Sequence, residues 1–129
     1  MCNIGAFVSH SQVPEGAAVT AIKWAYLRDD GTFEPLVSEH HRGYRVGRRY
    51  VAVCKCSDRV YRHAPASIFV SCGFYADVKY HPNAHPYRQA FVVALWGRVA
   101  VHKDGYRASQ MRLLHEVEGP CECHPELFT

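Results

Sequence analysis

Alternation of apolar and polar positions with a period of two runs through most of this chain. From Val19 to Leu27 the large residues Thr20, Ile22, Trp24 and Tyr26 alternate with Ala21, Lys23 and Ala25, a spacing that puts the large side chains on one face of a strand. Asp29-Asp30-Gly31-Thr32 follows, and Asp-Gly supplies the positive φ values that tight hairpin turns need. Phe33 to Val37 is therefore the expected return strand, with Pro35 confining it to an edge. Ile4, Ala6 and Val8 alternate in the same way and predict a short first strand, ahead of the polar stretch Ser9 to Gly16.

Further along, Ser38 to Arg49 is polar and reads as a loop, and Tyr50 to Cys54 resumes a strand. Ile68 to Tyr75 is rich in β-branched and aromatic residues and predicts another, interrupted at Gly73 where a bulge or close backbone approach is natural. Pro82 and Pro86 break any helix between Asp77 and Gln89, which leaves a loop. Ala90 to His102 is the longest apolar run, rich in valine, and predicts a central strand bent at Gly97. Asp104-Gly105 is a second hairpin signal. Tyr106 to Val117 returns from it with Met111 and Leu113 on one face and Arg112 and Leu114 on the other; a helix over Ser109 to Glu116 is the alternative.

These elements predict a mainly β protein, α+β at most, built as an antiparallel sheet rolled toward a small barrel or sandwich with little helix. Gly119 and Pro120 stop the last element, so residues 1–118 form one globular domain and residues 119–129 an exposed tail.

The length of 129 residues is enough for one domain to bury a core without cross-links. No apolar stretch is long enough to cross a bilayer as a helix. The first residues, Met1-Cys2-Asn3-Ile4-Gly5-Ala6-Phe7, lack a basic region followed by an apolar run, which points away from secretion and toward the cytoplasm. A net charge of +3 is mildly basic. Arg42, Arg45, Arg48 and Arg49 form the local concentration of that charge; they suit either a solvated loop or, as a lesser alternative, a nucleic-acid surface meeting phosphates.

Six cysteines in a reducing compartment point to metal ligation, catalysis or buried small apolar residues rather than to disulfides. Cys54, Cys56, His63 and Cys72 form C-x-C-x6-H-x8-C, a thiolate and imidazole set that suits Zn²⁺ in a closed tetrahedral site. The competing expectation is that Cys54 and Cys72 are buried, Cys56 and His63 are partly exposed, and no metal is bound. Cys121-Glu122-Cys123-His124 offers a second pair of thiols that either folds back to join Cys54 and Cys56 in a four-thiolate site or belongs to a loose end whose thiols oxidise. Cys72 also invites a role as a nucleophile, with His102 or His115 as its base. His81 and His85 stand four apart, but Pro82 between them and Pro86 after them argue against the helix that would align them.

The segments Ile22-Lys23-Trp24-Ala25, His63-Ala64-Pro65, Cys72-Gly73-Phe74-Tyr75-Ala76, Leu95-Trp96-Gly97-Arg98-Val99 and Gly105-Tyr106-Arg107-Ala108 occur in one order. Over residues 19–117 the chain thereby resembles a group of small proteins of actinobacteria and their phages, to which no activity is attached. In that group a Cys-x-Cys-Gly precedes the Gly-Tyr-Ala-like residues, with a cysteine upstream; here Val70 stands at the first of those cysteines, and Cys54 is available in its place. The resemblance supplies a context and no mechanism; the leading expectation in that context is a small accessory protein that acts by binding another macromolecule, in a phage most naturally a protein of the host, with a structural Zn²⁺ at Cys54, Cys56, His63 and Cys72 if a metal is bound.

Overall fold

The computed structural model describes residues 11–13, 16–36, 43–52, 73–86, 88–118 and 124–128. Seven strands carry this part of the chain: β1 (Ser11–Val13), β2 (Val19–Leu27), β3 (Phe33–Pro35), β4 (Arg49–Val51), β5 (Phe74–Asp77), β6 (Gln89–Val101) and β7 (Gly105–Glu116), followed by a 3₁₀ turn at Pro125–Leu127. All pairings between named strands are antiparallel, in the order β1-β6-β2-β5-β7-β4. Because β6 also pairs with β7, the strands β6, β2, β5 and β7 close into a small four-stranded barrel, and β3 pairs with β2 alone. This is the mainly β, rolled antiparallel sheet that the alternating pattern predicts.

A barrel of four strands has little interior, and its strands supply small residues where space runs out. Ala21, Ala25, Ala76 and Ala108 face inward with Phe74, Phe91, Val93, Leu95, Val99, Met111 and Leu113, all essentially excluded from solvent. Each fully buried large apolar side chain among them contributes roughly 1.5–3 kcal/mol by leaving water. Tyr44, in the segment expected to be a polar loop, is wholly buried in this core: its backbone exchanges hydrogen bonds with Phe33, and its ring meets Tyr50 and Phe74 edge to face.

The opposite face of β2 is covered as well. Ile22 and Trp24 pack with Ala90, Val92 and Leu127 in a second apolar cluster, against which Leu36, Tyr80, Leu114, Val117 and Phe128 close. The chain's end thus returns to β2, held by the hydrogen bond that Tyr80 N–H donates to the Leu127 carbonyl at 2.8 Å.

Gln89–Val101 and Gly105–Glu116 run as one long hairpin, so the helix alternative over Ser109 to Glu116 gives way to strand. Met111 and Leu113 face the core, while Arg112 is exposed and Leu114 meets the outer cluster. Two local irregularities let this hairpin curve. One lies where Val92 and Val93 face His115 and Leu113, and the other between Trp96 and Val99. At the second, Gly97 takes φ +79° and the Arg98 N–H donates to Ser109 Oγ at 2.9 Å. This is the bend expected at Gly97, and a left-handed backbone at that point explains the choice of glycine.

Candidate functional site at the barrel seam

The barrel is stitched unevenly. β2 meets β6 along seven residue pairs but meets β5 through the single pair Ile22–Asp77, and β3 joins the same edge of β2 only from Ala25 onward. Lys23 and Trp24 lie between these two registers. A cleft of about 160 Å³ opens there, lined by Ile22, Lys23, Trp24, Pro35, Leu36, Tyr75, Ala76, Asp77 and His85.

One wall of the cleft is aromatic and apolar. The Trp24 indole stacks on Tyr80 with 5.5 Å between ring centroids, and the His85 ring tilts against it at 5.2 Å. Pro82 and Pro86 lie in the turn that carries His85, so the prolines that exclude a helix also shape this wall.

The other wall is polar. Lys23 has the inward parity of Ala21 and Ala25; it is 4% exposed, donates from Nζ to the Tyr75 carbonyl at 2.5 Å and lies over the Tyr44 ring at 5.7 Å. A buried ammonium needs such partners, because leaving water without them is costly. Asp77 is half-buried, and this desolvation raises its carboxyl above the ordinary value against the opposing pull of His85, Lys23 and His81; the nearby Asp104 adds to the rise. Burial likewise raises the Tyr75 hydroxyl, reinforced by the charges of Asp77 and Asp104 and by its hydrogen bond to Asp77. Next to this wall Arg107, opposite Tyr75 in the β5–β7 ladder and 2% exposed, donates from Nε to His102 Nε2 at 2.6 Å.

A concave, largely apolar pocket with a few convergent polar groups and a shifted carboxyl is where ligand recognition concentrates. This cleft can take a single side chain or a comparably small group, with stacking from Trp24 and polar contact from Asp77 and Tyr75.

Cys54, Cys56, His63 and Cys72, expected to hold zinc, lie outside the described residues, as do Cys2, Cys121 and Cys123. Among the described residues no three His, Cys, Asp or Glu side chains gather into a metal site. The two histidines considered as bases for Cys72 lie at opposite ends of the β6–β7 hairpin: His115 faces Val92, and His102 follows Val101 at the turn, roughly 30 Å apart at the rise of an extended chain. No single thiol reaches both. Of the arginine cluster, Arg45, Arg48 and Arg49 are exposed and Arg42 lies outside the described residues.

Of the seam residues only His85 was weighed from the sequence, as one of a pair with His81. The available signal was Lys23, a charge at the small-residue parity of an otherwise apolar strand. Asp77 gave none, because nothing local reveals that its strand makes a one-residue contact with β2.

Comparison with protein-family models, with curated proteins and with solved structures finds no match to this chain. Among the described residues no helix is long and apolar enough to cross a membrane.

Proposed function

We propose that this protein works as a binding protein, taking a side chain of a protein partner into the seam cleft. The observation that carries the proposal is the cleft itself: about 160 Å³, floored by Trp24 and bordered by the half-buried Asp77. Aromatic anchors in a pocket with a polar rim are the usual centre of a protein interface. In keeping with the resemblance to small proteins of actinobacteria and their phages, the partner is a protein of the host cell and the setting is the cytoplasm. A structural Zn²⁺ at Cys54, Cys56, His63 and Cys72 belongs to the same proposal and is tested by elemental analysis of protein purified without added metal.

The test is affinity capture from an actinobacterial lysate with three baits: the unaltered chain, Trp24→Ala and Asp77→Asn. A partner retained by the unaltered chain and lost by both folded variants supports the proposal. A partner held equally by all three places the contact elsewhere, and no specific partner from any lysate removes the proposal.

A second function, nucleic-acid binding, is favoured by one arrangement. Arg45, Arg48 and Arg49 are exposed, and Arg112 stands opposite Arg49 in the β4–β7 ladder, also exposed. Phosphate contacts of this kind weaken steeply as salt rises, so a gel shift that is insensitive to salt argues against it.

A further inference from the structure

Two buried side-chain atoms among the described residues lack a hydrogen-bond partner, Gln89 Oε1 and His115 Nε2. The second bears directly on ligand chemistry. His115 Nδ1 lies 3.2 Å from the Glu116 carbonyl oxygen. A carbonyl only accepts, so Nδ1 carries the ring proton and Nε2 presents its lone pair. A buried imidazole lone pair with nothing donating to it is rare in a folded protein.

The tail brings a second imidazole to this point. The 3₁₀ turn at Pro125–Leu127 is fastened to β2 through Leu127, which is 2% exposed, and Thr20 Oγ1 donates to Glu126 Oε1 at 3.3 Å. His124, the residue before the turn, stacks on His115 with ring centroids 6.1 Å apart and planes 22° apart. Its Nδ1 lies 3.9 Å from Glu126 Oε1. That separation is beyond hydrogen-bond distance, so the carboxylate is a neighbour of the ring and not a partner that fixes it.

We propose that His115 and His124 are the two-imidazole half of a metal site for a borderline divalent ion, Zn²⁺ above all. Two imidazoles sharing one tetrahedral ion have ring centroids roughly 5 Å apart, about 1 Å closer than the 6.1 Å seen here. Imidazole suits zinc, and thiolate completes a structural site where the sequence offers it. The sequence C-x-C-H places Cys121 and Cys123 within three residues of His124, and whether their thiols are the remaining donors is decided by the experiment. The proposal is independent of the seam cleft and of the zinc expected at Cys54, Cys56, His63 and Cys72. It gives the returning tail a purpose: an ion here clamps the chain's end to β7 and so covers the outer apolar cluster.

The full-length protein is loaded with Zn²⁺, dialysed against a weak chelator and assayed for bound metal, in parallel with His115→Ala, His124→Ala, the double variant Cys121→Ser/Cys123→Ser, and Cys54→Ser/Cys56→Ser. The expected result is zinc retained by the unaltered chain and by Cys54→Ser/Cys56→Ser, with affinity lowered at least about 100-fold in either histidine variant. Loss in Cys121→Ser/Cys123→Ser as well identifies the thiols as the other donors. Because His115→Ala removes a partly buried side chain, the long-range ¹⁵N spectrum of the unaltered chain gives a readout that needs no variant: His115 Nε2 shifts on addition of zinc. Absence of bound zinc, an unmoved Nε2 signal, or zinc that is lost only in Cys54→Ser/Cys56→Ser overturns the proposal.

Discussion

Arg107 donates from Nε to Nε2 of His102 at 2.6 Å across the tip of the β6–β7 hairpin, and the guanidinium is 2% exposed. A buried guanidinium is tolerated only where acceptors face it. The bond also fixes the imidazole as an acceptor at Nε2, so this nitrogen is committed to holding the hairpin end beside Tyr75 and Asp77. Arg107→Met is expected to destabilise the protein by about 2–4 kcal/mol, combining the lost charge-assisted bond with imperfect filling of the site. Chemical denaturation measures it, and a loss below about 0.5 kcal/mol would mean that the pair contributes nothing net.

Gly97 and Gly31 share a left-handed backbone, φ +79° and +85°, but differ in what surrounds them. A Cβ on Gly97 would stand 2.4 Å from Ser109 Oγ, whereas a Cβ on Gly31 meets nothing within 4 Å. Gly31→Ala is therefore expected to cost about 1 kcal/mol from backbone conformation alone, and Gly97→Ala to cost roughly 2 kcal/mol more from the collision. Ser109→Ala should return part of that excess when combined with Gly97→Ala, which a double-mutant cycle resolves. Equal costs at the two glycines would remove the collision as the cause.

The same two glycines show how far the sequence could be read. Asp30-Gly31 and the bend at Gly97 were legible because each is a local backbone requirement written in one residue. The hairpin partners followed from alternation with a period of two, since that pattern reports which residues share a face. At Asp104-Gly105 the hairpin is present but for another reason: Gly105 keeps an ordinary φ, and it is the Ala76 carbonyl and the Tyr75 hydroxyl, each 2.6 Å from where its Cβ would stand, that exclude a side chain. Both faces of β2 proved to be covered, because the outer one is closed by Leu127 and Phe128 from the far end of the chain. The seam was illegible for the same reason, as barrel closure and the one-residue contact of Ile22 with Asp77 are long-range facts.

Asp77 gives a pH dependence with a definite sign. Burial raises its folded carboxyl above the ordinary value near 3.8, so the folded state holds the proton more tightly than the unfolded chain does. The stability linked to that proton is fully present below the unfolded value and is lost as pH rises through the folded one. Asp77→Asn should therefore flatten the decline in stability above about pH 4 and raise the melting temperature at pH 7 relative to the unaltered chain. Thermal melts across pH 3–8 check this. A variant less stable than the parent at pH 7 would mean that His85, Lys23 and the Tyr75 hydroxyl outweigh the burial.

Arg49 and Arg112 face each other in the β4–β7 ladder, both exposed, and β4 is the end strand of the sheet order. Like charges directly opposite on one face destabilise a strand pair, and charged edge strands resist pairing with other chains. Arg112→Glu converts the opposition into an attractive pair and should stabilise the protein by about 0.5–1 kcal/mol at low salt, with the gain shrinking as salt rises and screens it. The same substitution separates the two origins of the arrangement. If the arginines meet phosphates, the log–log salt dependence of nucleic-acid binding loses about one unit of slope together with affinity. If they serve only to guard the edge, nucleic-acid binding is absent in the parent, and the variant instead associates with itself more readily at high protein concentration, which sedimentation detects.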